Sequence, residues 1–254
     1  MRTHRYFIRR YLENRPDFFS FIRSQEAFLF YSHIPMMKKP LLDFGSGDGF
    51  FASTIFNKKG IDVGLDVLSS RINESPQTNI YKKCTIYDGI AIPYKVNSFG
   101  TIISNCVFEH VPQIEKSVQE MYRITKKGGY LITTVMCSSW SNNLLGGKIF
   151  GNIYIDWFNR MQHHDSLLSK KEWIRLFKGA GYEIVESVDY LFENAAQKTE
   201  MYHFLSVFSL ITYLLFKKWK LFSHVSERKI AEIENIIKND KKNPSACFFV
   251  LRKK

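Results

Sequence analysis

The sequence contains little cysteine, four residues in 254. Cys84, Cys106, Cys137 and Cys247 lie far apart and form neither a Cys-x-x-Cys pair nor a zinc-type spacing with histidine. A chain of this length can bury a full core without disulfides. The pattern argues against a disulfide framework and predicts a protein of the reducing cytoplasm with no metal site.

Uninterrupted apolar runs are also scarce. Arginines break up the first 19 residues, so we expect no signal peptide. The longest apolar run, 201–216, would make a helix of about 24 Å, whereas a hydrocarbon core is about 30 Å thick. Because Lys217, Lys218, Trp219 and Lys220 follow, region 201–220 predicts either a buried cap helix or a helix lying on an anionic membrane at its cytoplasmic face.

Acidic residues are fewer than basic ones, 24 against 36, which gives a net charge of +12. This excess favours an acidic partner, namely nucleic acid, an anionic membrane surface or a phosphorylated substrate. Genomic base composition is the alternative explanation, because Lys, Asn, Ile, Phe and Tyr are all plentiful. The sequence shows no internal repeat and no low-complexity tract.

Short apolar runs alternate with helical patterns from Leu41 onward, which predicts a parallel, doubly wound α/β sheet. "QIEKSVQEMYRITKKGG" is predicted as one helix that ends at its glycines. The predicted organisation is an N-terminal helical cap (1–40), a Rossmann-like α/β core (41–190), an aromatic helical insertion (191–244) and a last core strand (245–254).

"LLDFGSGDGFFA" places three glycines between two carboxylates directly after the first predicted strand. Gly45, Gly47 and Gly49 give G-x-G-x-G, and Phe50 stands where the dinucleotide fingerprint has its third glycine. The lysine of a P-loop is absent as well, so the turn is not a P-loop phosphate site. Asp43 and Asp48 would repel a pyrophosphate, so the turn suits a ligand that carries positive charge.

Two further acids follow predicted strands. Asp66 ends the second strand about 20 residues beyond the first glycine, where a carboxylate can accept both hydroxyls of a ribose. Asp88 follows the third strand, in a position suited to the amine of an adenine. A ribose, an adenine and a cationic end without phosphate describe S-adenosylmethionine.

Four stretches in order, "LLDFGSGDGFFA", "VGLDVLSSRI", "YDGIAIPYKVNSFGTIISNCVFEHV" and "MYRITKKGGYLITT", resemble class I S-adenosylmethionine-dependent methyltransferases of the type 11, small-molecule group. The resemblance implies a Rossmann-like seven-stranded sheet whose last strand is antiparallel. It also implies S-adenosylmethionine as cofactor and S-adenosylhomocysteine as product. The implied cofactor contacts are Asp43, Gly45, Ser46, Gly47, Asp66, Val67, Asp88, Gly89, Asn105, Cys106 and Val107.

Three histidines are candidates for a catalytic base, since a hydroxyl acceptor must lose its proton. His110 follows the fourth strand, and in the resembling families this position is often structural. His163 and His164 precede Asp165 in a segment that we expect near the carboxyl ends of the strands; a polar loop that caps the next helix is the alternative.

The sequence therefore predicts a methyltransferase, O-directed, acting on a small-molecule, sugar or lipid-linked acceptor held by the 191–244 insertion and the N-terminal helices. A homodimer is an alternative partner for the aromatic insertion. Two other functions stay open. One is an RNA or protein methyltransferase, although "SNCVF" lacks an amide-nitrogen motif and no added RNA-binding domain appears, so nucleic acid is disfavoured. The other is a catalytically silent, membrane-peripheral protein that binds S-adenosylmethionine.

Overall fold

The computed structural model describes residues 2–221 and 224–254. Met1, Phe222 and Ser223, which belong to the predicted N-terminal cap and helical insertion, lie outside the described residues. The chain divides into two compact units, here called the sheet unit and the helical unit. The sheet unit comprises Phe30–Cys137, His163–Val188 and Cys247–Lys254; the helical unit comprises the residues up to Leu29, Ser138–Gln162 and Asp189–Ala246.

Seven strands form one sheet in the order β3-β2-β1-β4-β5-β7-β6. The β1–β2, β1–β4, β2–β3 and β4–β5 pairs are parallel, and β7 is antiparallel. This confirms the predicted doubly wound fold with its reversed last strand. The strands are β1 (Leu41–Phe44), β2 (Ile61–Val67), β3 (Tyr81–Tyr87), β4 (Phe99–Asn105), β5 (Thr125–Met136), β6 (Tyr182–Tyr190) and β7 (Ala246–Lys253).

Helices precede, connect and follow these strands within the described residues. They are α1 (His4–Asn14), α2 (Phe18–Ser32), α3 (Phe50–Ile55), α4 (Ile114–Ile124), α5 (Ser139–Asn143), α6 (Leu145–Phe150), α7 (Asn152–Met161), α8 (Lys170–Gly179), α9 (Glu193–Leu205), α10 (Val207–Phe216) and α11 (Glu227–Asn239). Short 3-10 turns occupy Ile34–Met36, Ile72–Thr78 and Phe108–His110.

The core of the sheet unit forms where apolar strands meet amphipathic helices. All four residues of β1 are buried, as expected of a central parallel strand covered on both faces. Helix α8 begins with a capping box between Ser169 and Glu172, and buries Trp173 and Phe177. The Trp173 indole N–H donates to the Met136 carbonyl at 3.1 Å, so this large ring is buried with its polar atom satisfied.

The helical unit has a smaller core of its own. Helices α1 and α11 lie together, and Ile8 and Leu12 form an apolar cluster with Ile230 and Ile233. Elsewhere in this unit the Glu200 carboxylate of α9 is buried and accepts hydrogen bonds from the backbone of Leu145 and Gly146. These contacts join three separated stretches of sequence.

One predicted element boundary is wrong. The sequence predicts that the helix after Gln113 runs through Lys126, Lys127 and two glycines, but α4 ends at Ile124. The Thr125 hydroxyl bonds back to the Met121 carbonyl at 2.6 Å, which competes with helical pairing. Phe99 pairs with Thr125 and Thr101 with Tyr130, so residues 126–129 form a bulge of β5 opposite Gly100.

The predicted single helix across 201–216 is also wrong. Helices α9 and α10 are separate and meet at a bend of 50° at Ser206. The Ser206 hydroxyl bonds to the His203 carbonyl at 2.5 Å and so draws that acceptor away from regular pairing. Among the described residues no single helix passes a length-and-hydropathy test for spanning a membrane, while α9 and α10 pass it only as a bent pair.

Candidate active site

The glycine turn after β1 adopts a conformation that ordinary side chains resist. Gly45, Gly47 and Gly49 have φ values of 76°, 50° and 74°. A Cβ on Gly45 would lie 2.2 Å from a methyl carbon of Val107, whereas one on Gly47 would meet nothing within 4 Å. Gly45 is therefore needed for close approach between two strand ends, and Gly47 leaves open space in front of the turn.

Asp48 serves the protein's own structure. The sequence predicts Asp48 as the cap of a helix that extends to Gly60, but the cap residue of α3 is Gly49 and the helix ends at Ile55. The Asp48 carboxylate instead accepts the backbone N–H of Phe50 at 3.0 Å and pairs with Arg71 at 3.1 Å. Both contacts are made within the protein, to the first residue of α3 and to a side chain that follows β2.

Asp43 is buried at the end of β1 and bonded to a tyrosine that the sequence did not indicate. The Tyr81 hydroxyl donates to Asp43 at 2.6 Å. The Tyr81 ring fits there because Gly64 and Gly49 have no side chains: a Cβ on either would lie 3.0 Å from it. Burial raises the pKa of Asp43 to about 7, against the lowering effect of the Tyr81 hydrogen bond, and the Asp66 charge raises it further.

This pKa predicts a pH-dependent stability. The folded protein keeps a proton on Asp43 that the unfolded chain releases between pH about 4 and about 7, so the free energy of unfolding falls as pH rises across that range. Moving a carboxyl pKa from 3.8 to about 7 corresponds to about 4 kcal/mol. We expect Asp43→Asn to remove most of this slope, measured as urea unfolding midpoints at pH 5 and pH 8. Asp165→Asn, on an exposed acid, is the control; equal slopes in the parent and Asp43→Asn would refute the assignment.

Asp66 connects β2 to the glycine turn. Its carboxylate accepts the backbone N–H groups of Gly47 at 2.7 Å and Val67 at 2.8 Å. Burial raises the pKa of Asp66, while these backbone hydrogen bonds lower it. The register places Asp66 two residues beyond Gly64, the partner of Asp43, so both acids lie at the same end of the sheet.

Asp88 is exposed just beyond β3. Its carboxylate accepts the N–H groups of Ala91 and Ile90 at 3.0 and 2.8 Å, and these bonds lower its pKa. Gly89 has a φ of 82°, and a Cβ there would contact Val67 at 3.5 Å. Burial raises the pKa of Tyr87 to about 12, and the Asp66 and Asp88 charges raise it further. Asp66 and Asp88 thus both lie near Tyr87.

The segment after β4 is held by the neighbouring strand. Thr134 of β5 donates its hydroxyl to the Asn105 side chain at 3.0 Å, and its own carbonyl accepts the Cys106 N–H at 3.1 Å. Cys106 has a φ of 50°, a sharp turn at a residue other than glycine. The turn brings Val107 against Gly45, so this segment and the glycine turn are in direct contact.

The three candidate histidines lie together in the sheet unit. The His110 Nδ1 atom lies 2.8 Å from the His163 carbonyl oxygen, and its ring stacks on that of His164 with centroids 5.2 Å apart. A carbonyl only accepts, so His110 donates from Nδ1 and the neutral ring keeps Nε2 as a proton acceptor. His110 and His163 are exposed, as is the neighbouring Asp165.

Glu109, which sequence reasoning missed, holds this cluster. It is buried, its carboxylate accepts the Met136 N–H at 3.2 Å, and its carbonyl accepts the N–H groups of Asp165 and Ser166. A glutamate inside the apolar "CVFEHV" was the available signal, since a charged side chain there needs buried partners.

Two exposed apolar side chains were also missed. Leu68 is 65% exposed directly after the Asp66 strand, and Ile90 is 83% exposed beside Asp88. Apolar residues next to predicted ligand-binding acids were the available signal. They give these two strand ends an apolar surface as well as a charged one.

No group of three or more His, Cys, Asp or Glu side chains is suited to hold a metal ion within residues 2–221 and 224–254. The expectation of a protein without a metal site stays a prediction.

Sheet order, glycine turn and strand-end acids together define the class: this is a class I S-adenosylmethionine-dependent methyltransferase fold. The chain belongs to the methyltransferase-domain family, whose model matches residues 4–187. An uncharacterized methyltransferase of Mycobacteroides abscessus is 29% identical over 140 residues, which cover 52% of this chain and 54% of that protein. Phosphoethanolamine N-methyltransferase 2 of Caenorhabditis elegans is 28% identical over 103 residues, 37% of this chain and 23% of that protein.

Solved structures agree on the fold. A Thermotoga maritima protein described as a possible histamine N-methyltransferase has a TM-score of 0.57 at 16% identity, covering 93% of both chains. Geranyl diphosphate C-methyltransferase of Streptomyces coelicolor, solved with S-adenosyl-L-homocysteine, has a TM-score of 0.57 at 14% identity, covering 91% of this chain and 79% of that one. The chain spans about half the length of the Mycobacteroides relative and less of the Caenorhabditis one.

Proposed function

We propose that this chain transfers a methyl group from S-adenosylmethionine to an oxygen of a small-molecule, sugar or lipid-linked acceptor. The observation that carries the proposal is the strand-end cluster in which a glycine turn with open space before it lies beside two acids, the buried Asp43 and the half-buried Asp66. The choice of oxygen as the methylated atom rests on His110, whose Nε2 atom can accept the proton of a hydroxyl group.

The residues present suit this cofactor. The Ser46 hydroxyl is buried and has no hydrogen-bond partner among the described residues, so it can bond a ligand. Gly47 leaves open space, and the half-buried Asp66 offers an acceptor beside it. When bound, S-adenosylmethionine supplies an electrophilic methyl group on a cationic sulfur. Asp43, once ionised, would favour the positive charge, Asp66 would accept the ribose hydroxyls, and Leu68 and Ile90 would contact the flat adenine.

The protein's main task in such a transfer is alignment. Holding two reactants in line is worth as much as about 7–11 kcal/mol. Here Thr134 fixes Asn105 and Cys106, and Val107 contacts Gly45, which keeps the two strand-end segments in one arrangement. His110 would accept the proton of a hydroxyl acceptor, which contributes about 100- to 10,000-fold.

His110→Ala should lower the initial rate of methyl transfer by about 100-fold or more and leave the dissociation constant of S-adenosylhomocysteine within about two-fold. His163→Asn is the matched control. This change removes the His163 imidazole but keeps the backbone carbonyl that orients His110. Asparagine tolerates the φ of 55° at this position. The measurement is the rate of label transfer at saturating cofactor. A large loss in His163→Asn together with a small one in His110→Ala would assign the base to His163.

The acceptor class is tested by incubating the protein with methyl-labelled S-adenosylmethionine and host extract, then separating lipid, polysaccharide, protein, nucleic-acid and small-molecule fractions. Label in the lipid, polysaccharide or small-molecule fraction, absent with Asp66→Ala, is the expected result. Label in nucleic acid or protein would replace the proposal with an RNA or protein methyltransferase. Cofactor binding without label in any fraction would favour the silent binding protein.

A further inference from the structure

The helical unit exposes an unusually apolar surface. Helix α10 buries none of its ten residues, and Phe208, Leu214 and Leu215 on it are 62–74% exposed. On α6 and α7, Ile149 and Ile153 are 71% and 84% exposed. Apolar residues concentrated on one surface in this way mark a site of association.

Ring contacts link α7 to α9, and α10 continues the chain from α9. The Trp157 ring of α7 stacks on the Phe204 ring of α9, with centroids 6.2 Å apart and planes within 5°. The centroids of the Phe158 and Phe204 rings are 5.9 Å apart, and α10 follows α9 directly after Ser206. We call the exposed apolar side chains of α6, α7, α9 and α10 the apolar face.

The charge that follows α10 in the sequence is of one sign. Residues 201–226 contain no aspartate or glutamate, and Lys217, Lys218 and Lys220 follow α10. Lys220 is paired with Asp17, whereas Lys217 and Lys218 are exposed. The Tyr213 and Trp219 rings, close to these lysines in the sequence, stack with their centroids 4.3 Å apart. Apolar residues bordered by lysines and amphipathic aromatic rings match the boundary between acyl chains and anionic headgroups.

The contacts of α9 and the length of α10 argue against a membrane span and favour α10 lying on the membrane surface. Glu200 bonds the backbone of Leu145 and Gly146, and the Tyr154 hydroxyl donates to it, so α9 is fixed within the helical unit. Helix α10 alone is about 15 Å long, half the thickness of a hydrocarbon core of about 30 Å.

We propose that the apolar face docks on an anionic membrane surface, with α10 in the interfacial plane and Lys217 and Lys218 at the phosphates. Exposed apolar area supplies the affinity, and the lysines supply the preference for negative charge. This binding does not depend on methyl transfer, so the two proposals can fail separately.

The test is co-sedimentation of the full chain with vesicles of phosphatidylcholine alone and of phosphatidylcholine with 30% phosphatidylglycerol. We expect about ten-fold stronger binding to the anionic vesicles, weakened by salt. Phe208→Asp with Leu215→Asp should reduce it at least ten-fold, and Lys217→Glu with Lys218→Glu should remove the preference for anionic lipid. These positions are exposed, so thermal unfolding should be unchanged.

Val96→Asp is the matched control, because Val96 is 58% exposed and belongs to the sheet unit rather than to the apolar face. It should bind vesicles like the parent. Equal binding by Phe208→Asp/Leu215→Asp and the parent would overturn the proposal, as would no binding to anionic vesicles. A dimer seen by light scattering that the same double substitution separates, without vesicle binding, would assign the face to a second copy of the chain.

Discussion

Asp66→Ala should bind S-adenosylhomocysteine about 100-fold or more weakly than the parent. The carboxylate accepts the Gly47 and Val67 N–H groups and is the proposed acceptor for the ribose hydroxyls. Hydrogen bonds to a charged group are worth about 1.5–3 kcal/mol each, so losing two costs at least about 3 kcal/mol of binding. Isothermal titration calorimetry with S-adenosylhomocysteine measures the effect.

Asp66→Asn separates the two roles of this side chain. An amide keeps one acceptor for the turn but presents a donor where the carboxylate had its second acceptor. We expect most of the affinity loss in this variant as well. Glu74→Gln, which alters an acid paired with Arg71, is the control and should bind normally. Parent-like affinity in both Asp66 variants would remove Asp66 from the cofactor site.

Gly45→Ala should cost at least about 3 kcal/mol of unfolding free energy. A side chain at a φ of 76° costs about 1–2 kcal/mol, and the new methyl would lie 2.2 Å from Val107, so the β4 segment must move. Chemical denaturation measures the loss. Adding Val107→Ala should recover the part due to the clash but not the part due to φ.

Gly47→Ala is the matched comparison. Its φ of 50° carries a similar backbone cost, but its Cβ meets no protein atom within 4 Å. The variant should fold with a loss of about 1–2 kcal/mol yet bind cofactor poorly, because the methyl occupies the proposed cofactor space. Equal stability losses in the two variants would show that Val107 does not restrict Gly45.

The sequence predicted the sheet well because apolar strand runs and glycine punctuation are local signals. The doubly wound seven-stranded sheet and its antiparallel β7 are confirmed. Boundaries failed where side chains compete for backbone partners: Thr125 ends α4 early, and Ser206 divides the apolar helix in two. These hydroxyls act through a single hydrogen bond, which hydrophobic periodicity does not detect.

The sequence indicated the acids and glycines of the candidate site but not their hydrogen-bond partners, and the role of these residues in cofactor binding stays a prediction. Tyr81 reaches Asp43 only because Gly64 and Gly49 leave room for its ring, and residues 38 positions apart in sequence carry no such signal. Glu109 likewise brings His110 and His163 together across 53 positions. Contacts between residues so far apart form only when the chain has folded, so local sequence patterns do not reveal them.

The strand order has a consequence for synthesis of the chain. Strand β7 lies between β5 and β6, yet it is translated more than fifty residues after β6. While the ribosome adds the intervening helices, β6 has no neighbour on which to pair and β5 keeps an open edge. Unpaired edges are prone to association with other chains. A nascent chain halted before Ala246 should therefore engage chaperones and be sensitive to proteases, even though the parallel half of its sheet is already complete.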